Sequence, residues 1–165
     1  MKFISGFIFA FILLAIAGLA VAFTGVVSVT ARGPDNPVVA WFLTTAMHRS
    51  VARQAAAQPA PAPSTDLKAG FRLYNETCVY CHGGPGKDPV DFGKGLNPEP
   101  PFLPDTAAGW TTAELYWIVR NGVRMTGMPS FADSHSDADI RAVVAFVQKL
   151  PGMTAEQYAE YEKAP

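Results

Sequence analysis

Residues 78–82 read C-V-Y-C-H, and the chain is delivered to Cys78 by a helix. Asp66 or Thr65 caps that helix, which runs to about Thr77 with Leu67, Gly70, Phe71 and Tyr74 spaced three and four apart on one face. Two thiols at this spacing can reach the two vinyl groups of one porphyrin, and the adjoining imidazole then meets the iron axially. The pattern therefore reads as a c-type haem attachment site, with His82 as the proximal ligand. Three other meanings compete with it. A thioredoxin-like redox pair belongs at a helix start near a βαβ pattern, and no alternation of strand and helix is visible here. Zinc wants four ligands, and beyond Cys78 and Cys81 the domain offers only His82 and His135. Chance accounts poorly for a chain whose only two cysteines fall in the pattern. A disulfide between them would close a four-residue ring and brace nothing.

An iron with one histidine needs a sixth partner or an open site. Residues 120–131 read R-N-G-V-R-M-T-G-M-P-S-F, so Met125 and Met128 compete for that place. Gly127 permits a close backbone approach, while Pro129 fixes φ and removes a donor, so Met128 is the expected ligand. Met125 is assigned to the pocket wall, and Met153 to packing. A Met/His pair raises the iron potential and leaves no vacant position, which favours electron transfer over catalysis.

The rest of the second half builds a crevice around such a group. Thr111 and Glu114 form a capping box before Leu115, Trp117, Ile118 and Val119, and Gly122 ends that helix in the left-handed conformation. Ser136 caps a closing helix with Asp137 and Asp139 in its first turn and Lys149 in its last. Its stripe of Ile140, Val143, Val144, Val147 and Leu150 should pack on Gly70, Phe71 and Tyr74, crossing closely at Gly70. Residues 83–104 are rich in Gly and Pro, a long irregular stretch that a large ligand would organise. Phe92, Leu96, Pro98, Pro100, Pro101, Phe102 and Leu103 would wall that ligand. A proline carbonyl, of Pro85 or Pro98, should accept the free ring N–H of His82. Trp110, Tyr116, Arg120 and Arg124 are propionate candidates by type and neighbourhood.

The first half is different in kind. Residues 1–64 carry Lys2, Arg32, Arg49 and Arg53 against Asp35 alone, a net +3, whereas residues 65–165 carry a net −4. No basic stripe marks a nucleic-acid partner. Between Lys2 and Arg32 lie 29 uncharged residues, Phe3 to Ala31. As a helix they would span roughly 40 Å, more than the ~30 Å hydrocarbon core needs. Residues 1–31 therefore read as a transmembrane anchor. A cleaved secretory signal is the alternative, with Ala20-Val21-Ala22 as its cleavage site, but the apolar run outlasts an ordinary h-region. Asn36-Pro37 opens a helix of about 18 residues, and residues 32–54 read as an interfacial amphipathic helix with Trp41 at the boundary and arginines facing lipid phosphate. The other reading is a solvated extension of the anchor, with His48 a surface histidine. Residues 55–64, rich in Pro and Ala, form a linker, and residues 65–165 the globular domain.

The helix carrying G-F-x-L-Y into C-x-x-C-H, the later G-M-P-x-F and the closing A-V-V-A-F-V-Q-K-L together resemble a class I bacterial cytochrome c over residues 65–152. The N-terminal apolar segment, W-F-L-T-T-A-M-H-R-S-V and the final L-P-G-M-T-A-E-Q-Y resemble the membrane-anchored monohaem type. No second C-x-x-C-H exists, which excludes a dihaem subunit. The resemblance implies an all-α fold, one covalently bound haem c with its iron, Cys78, Cys81, His82 and Met128 as cofactor-binding residues, and single-electron transfer rather than catalysis. The anchor and spacer, beside that resemblance, lead to the expectation of a single-pass protein of a bacterial inner membrane with its haem domain in the periplasm. The resemblance itself identifies no partner; the tether suggests a membrane complex and an oxidase or exported reductase. A fixed electron-entry subunit of a larger redox complex, or a haem enzyme or gas sensor with a displaceable Met128, are the rivals.

Overall fold

Apolar, uncharged residues from Phe3 onward give helix α1 (Lys2–Thr24), in which Phe3–Thr24 is long and apolar enough to cross a membrane and is exposed throughout. The apolar run to Ala31 is not all helix. Gly25 turns to φ +66 directly after Thr24, and the β-branched Val26, Val27 and Val29 lie beyond the end. The structure, a computed structural model, describes residues 2–58, 62 and 64–163, and its two units are Met1–Gly33 and Pro34–Pro165. No strand occurs among the described residues, so the fold is all-α.

In the second unit the Asn36 side chain accepts from Val38 N (3.0 Å) and Val39 N (3.3 Å), and Pro37 stands at the first position of α2 (Pro37–Ala56). This helix buries Val51 and Ala55 and packs along α7 (Thr112–Asn121). His48 stacks on Trp110 with ring centroids 4.5 Å apart and planes 10° from parallel. His48 is thus at the surface, as expected, but engaged there. Of the Pro/Ala linker expected at 55–64, the first residues continue α2, while Pro59, Ala60, Pro61 and Pro63 lie outside the described residues.

The core is the crossing of α3 (Leu67–Leu73) with α8 (Asp137–Val147). A Cβ on Gly70 would stand 2.1 Å from the Ala142 carbonyl oxygen and 2.9 Å from Phe146 Cβ, so only glycine admits this approach. Phe71 and Tyr74 lie against Phe146 at 5.4 and 5.5 Å. Ile140, Phe146 and Leu150 are fully enclosed, each contributing about 1.5–3 kcal/mol of burial. The capping box expected of Thr111 with Glu114 forms, and Ser136, expected as an N-cap, makes a second box with Asp139. Two details differ from expectation. Helix α8 stops at Val147, leaving Lys149 beyond its last turn. Gly122 ends α7 at φ 68 but with an extended ψ of −174, and the Pro129–Ser130 backbone, 2.6–2.7 Å from where its Cβ would sit, leaves room only for glycine. A further helix, α9 (Ala155–Lys163), buries Tyr158 against Phe71 at 5.4 Å.

Candidate functional site

The path from α3 to the cysteines is helical but not uniformly α. Between α3 and α4 (Val79–His82) lies one π-helical turn, Tyr74–Cys78, in which the Val79 N–H reaches the Tyr74 carbonyl five residues back. The widened turn carries one extra residue and so rotates the 78–82 face out of the register set by Phe71 and Tyr74. Thr77 Oγ1 donates to the Leu73 carbonyl (2.5 Å). Cys78 and Cys81 are free, half-buried and three residues apart, neighbours on one helix face. Burial pushes the Cys78 thiol up to about 11, partly offset by the Thr77 hydroxyl 3.4 Å away.

His82 follows on the same turn. Its Nδ1 lies 2.9 Å from the Pro101 carbonyl, and since a carbonyl only accepts, Nδ1 carries the proton and Nε2 keeps its lone pair. Burial lowers the imidazole pKa, opposed by that hydrogen bond, so the ring is held neutral. The acceptor is a proline carbonyl, as expected, but of Pro101 rather than Pro85 or Pro98. The reason is the packing of the next residue: the Phe102 ring sits 2.4 Å from where a Cβ on Gly83 would be, and Gly83 has φ +64. The loop therefore presents its 101 carbonyl to the imidazole. Tyr74, fully buried, donates its hydroxyl to the Gly83 carbonyl (2.6 Å), and burial raises its pKa far above the usual phenol range. Tyr158 lies 3.2 Å from the Cβ position of Gly84. The two residues after the histidine are thus held, Gly83 by Tyr74 and Phe102 and Gly84 by Tyr158.

The loop expected at 83–104 is punctuated by α5 (Asp91–Lys94) and α6 (Leu103–Thr106). Helix α5 lies on the attachment turn, with Val90 N bonded to the Tyr80 carbonyl (2.9 Å) and the Gly93 Cβ position 2.6 Å from that same oxygen. Leu96, just after α5, sits 2.8 Å from the Cβ position of Gly127. Through Leu96 the methionine loop meets the segment that holds the cysteines. Leu96, Phe102 and Leu103 are half-buried, and Phe92 is exposed.

Met128 is half-buried and its backbone is tied down on both sides. Its N–H reaches Thr126 Oγ1 (3.1 Å), its carbonyl accepts from Val123 N (3.2 Å), and Ser130 Oγ donates to the Arg120 carbonyl (2.8 Å). Met125 is the contrast, 90 % exposed with φ +63. Three of the four propionate candidates have partners within the protein. Trp110 stacks on His48, and Arg120 pairs with Asp137 and with the Tyr116 hydroxyl (3.3 Å). Among the described residues no three His, Cys, Asp or Glu side chains converge, so the zinc alternative finds no ligand set.

Sequence reasoning missed the Tyr74–Gly83 bond, the Pro101 acceptor, the π turn and α9. Only α9 left a local signal, since Thr154 and Gln157 exchange bonds of 2.9 and 3.2 Å in the T-x-x-Q pattern of a capping box.

A family model described as cytochrome C oxidase, cbb3-type, subunit III matches residues 65–147. Among curated proteins, the quinohemoprotein alcohol dehydrogenase of Comamonas testosteroni is 32 % identical over 82 residues, half of this chain. The aligned stretch is 11 % of that relative's length. No solved structure matches the chain.

Proposed function

The chain belongs to the cytochrome C oxidase, cbb3-type, subunit III family, with a class I c-type cytochrome domain and haem c as cofactor, and on that premise we propose that it is a membrane-tethered carrier of single electrons. Cys78 and Cys81 would hold the porphyrin through thioethers, and His82 Nε2 and Met128 Sδ would hold its iron. The observation that carries this reading is the His82–Pro101 hydrogen bond, which leaves Nε2 as the free donor on the turn that bears both thiols.

The cofactor supplies a ferrous/ferric couple, and the residues supply rigidity. The Pro101 carbonyl fixes the imidazole tautomer and plane. Tyr74 and Gly83 hold the backbone behind it. The three bonds around Met128 would keep its thioether from wandering, so that the residues holding the iron would move little when its charge changes. The single C-x-x-C-H sets one haem per chain.

Helix α1 supports a single-pass anchor in a bacterial inner membrane, with residues 32–165 in the periplasm. On this reading residues 1–31 form the anchor, and α2 lies at the interface while packed on α7 of the haem domain. Such a tethered domain would pass electrons between a membrane complex and an oxidase or exported reductase. Its likeness to a stretch of a quinohemoprotein alcohol dehydrogenase supports a place beside redox enzymes. The test takes protein matured with haem-attachment machinery. The expected results are a low-spin spectrum with the weak far-red band of methionine-ferric bonding, slow carbon monoxide binding when reduced, and retention in salt-washed membranes. Rapid carbon monoxide binding would point to an open distal site, and quantitative release to a cleaved signal.

A further inference from the structure

Helix α2 has two faces with opposite surroundings. At 100° per residue, His48, Val51 and Ala55 share one side, and that side meets α7 and Trp110. Val38, Phe42, Arg49 and Arg53 fall within about 60° of one another on roughly the opposite side. Val51 is 2 % exposed, whereas Val38 and Phe42 are 69 % and 62 % exposed, flanked by exposed Val39 and Leu43, while Trp41, also exposed, falls on the His48 side. The outward stripe is apolar in its first turns and basic in its last, where Ala46, Arg49, Ser50 and Arg53 line a shallow groove. No acidic residue occurs anywhere in residues 36–65.

We propose that this stripe is a lipid-binding surface for anionic headgroups, with the α2 N-terminus the deeper end, and that it sets the orientation of the haem domain at the bilayer. The inference deepens the membrane-anchor reading and rests on it. Two features select lipid over a protein occupant. An apolar cluster this exposed needs a cover, and α1 ends only twelve residues before α2, so the covalent reach from a bilayer is at most about 40 Å. The charge order also matches depth, Val and Phe entering the acyl boundary while the arginines stop at phosphate. Because the α7 side of α2 is packed on the haem domain, the domain must follow the helix. The tether is then residues 25–33, and the Pro/Ala segment after α2 connects two parts of one body.

The experiment uses the full-length holoprotein in vesicles of phosphatidylcholine and phosphatidylglycerol. A nitroxide is attached through Phe42→Cys or, as an anchor control, Leu14→Cys, and its collisions with oxygen and with a water-soluble nickel chelate are measured. The label at 42 should be several-fold more accessible to oxygen than to the chelate. That preference should fall in pure phosphatidylcholine or on Arg49→Gln/Arg53→Gln, with the control unchanged. A chelate-accessible label at 42 beside an oxygen-accessible control would overturn the proposal while leaving the anchor intact. Chelate access at both would sink the anchor reading itself. A label at 42 shielded from both reagents would assign the stripe to a protein partner and equally overturn the proposal.

Discussion

Gly70→Ala is the sharpest probe of the fold, because the structure sets its size. The new Cβ would stand 2.1 Å from the Ala142 oxygen and 2.7 Å from the Ala142 carbon, and both are helix backbone that cannot swing aside. Ordinary contact begins near 3.4 Å, so α3 and α8 must part by about 1.3 Å. Parting them loosens the Phe71–Phe146 and Tyr74–Phe146 contacts at the same crossing. Overpacking of this kind costs about 3 kcal/mol at the upper end of its usual range. Alanine returns about 1 kcal/mol through its better helix propensity. The net loss is about 2 kcal/mol, which lowers Tm by about 10 °C in a domain of this size. Circular dichroism melts of holoprotein at 222 nm measure it. Gly109→Ala, with nothing within 4 Å of its Cβ, is the control and should move Tm little. A Gly70→Ala protein that melts with or above the parent would refute the close crossing.

Met128→Ala should abolish the far-red methionine-ferric band while Met125→Ala preserves it; the reverse result would move the ligand three residues. Tyr158→Ala removes a fully buried ring packed on Phe71 and should cost about 3 kcal/mol, with amide exchange rising across 155–163; unchanged exchange would show α9 to be dispensable. Acid should weaken both capping boxes. The Glu114 carboxylate is held below its ordinary 4.5 by the Thr111 backbone and hydroxyl, and Asp139 below its ordinary 3.8 by the Ser136 hydroxyl and backbone. A depressed folded pKa means that the unfolded chain takes up protons first. This stabilisation is therefore complete above the ordinary values and lost as pH falls through the lower folded ones. Thr111→Ala, costing about 1 kcal/mol near neutrality, should flatten the acid limb of Tm against pH, and an unaltered limb would contradict the assignment.

What was legible in the sequence was what is local. Asn36-Pro37, Thr111–Glu114 and Ser136–Asp139 satisfy their own helix starts within three residues, so spacing alone announces them. Gly70 was legible because a glycine weakens a helix unless a neighbour must come close, and its place in an apolar stripe says where that neighbour packs. The identity of the His82 acceptor was not, since Pro85, Pro98 and Pro101 are alike in sequence, and Phe102 packing on Gly83 selects among them only in three dimensions. The π turn was equally hidden, because Y-N-E-T-C carries the same letters an α-helix would. The docking of α2 through His48 and Trp110 joins residues far apart in the chain, and no periodicity links them.

The central claim concerns the chemical state of two sulfurs and one imidazole turn. Intact-mass analysis of protein matured in a competent host, after exhaustive alkylation, addresses it directly. The account predicts the mass of one chain plus one haem with neither Cys78 nor Cys81 alkylated. A colourless product carrying two alkylated thiols and no haem would contradict it.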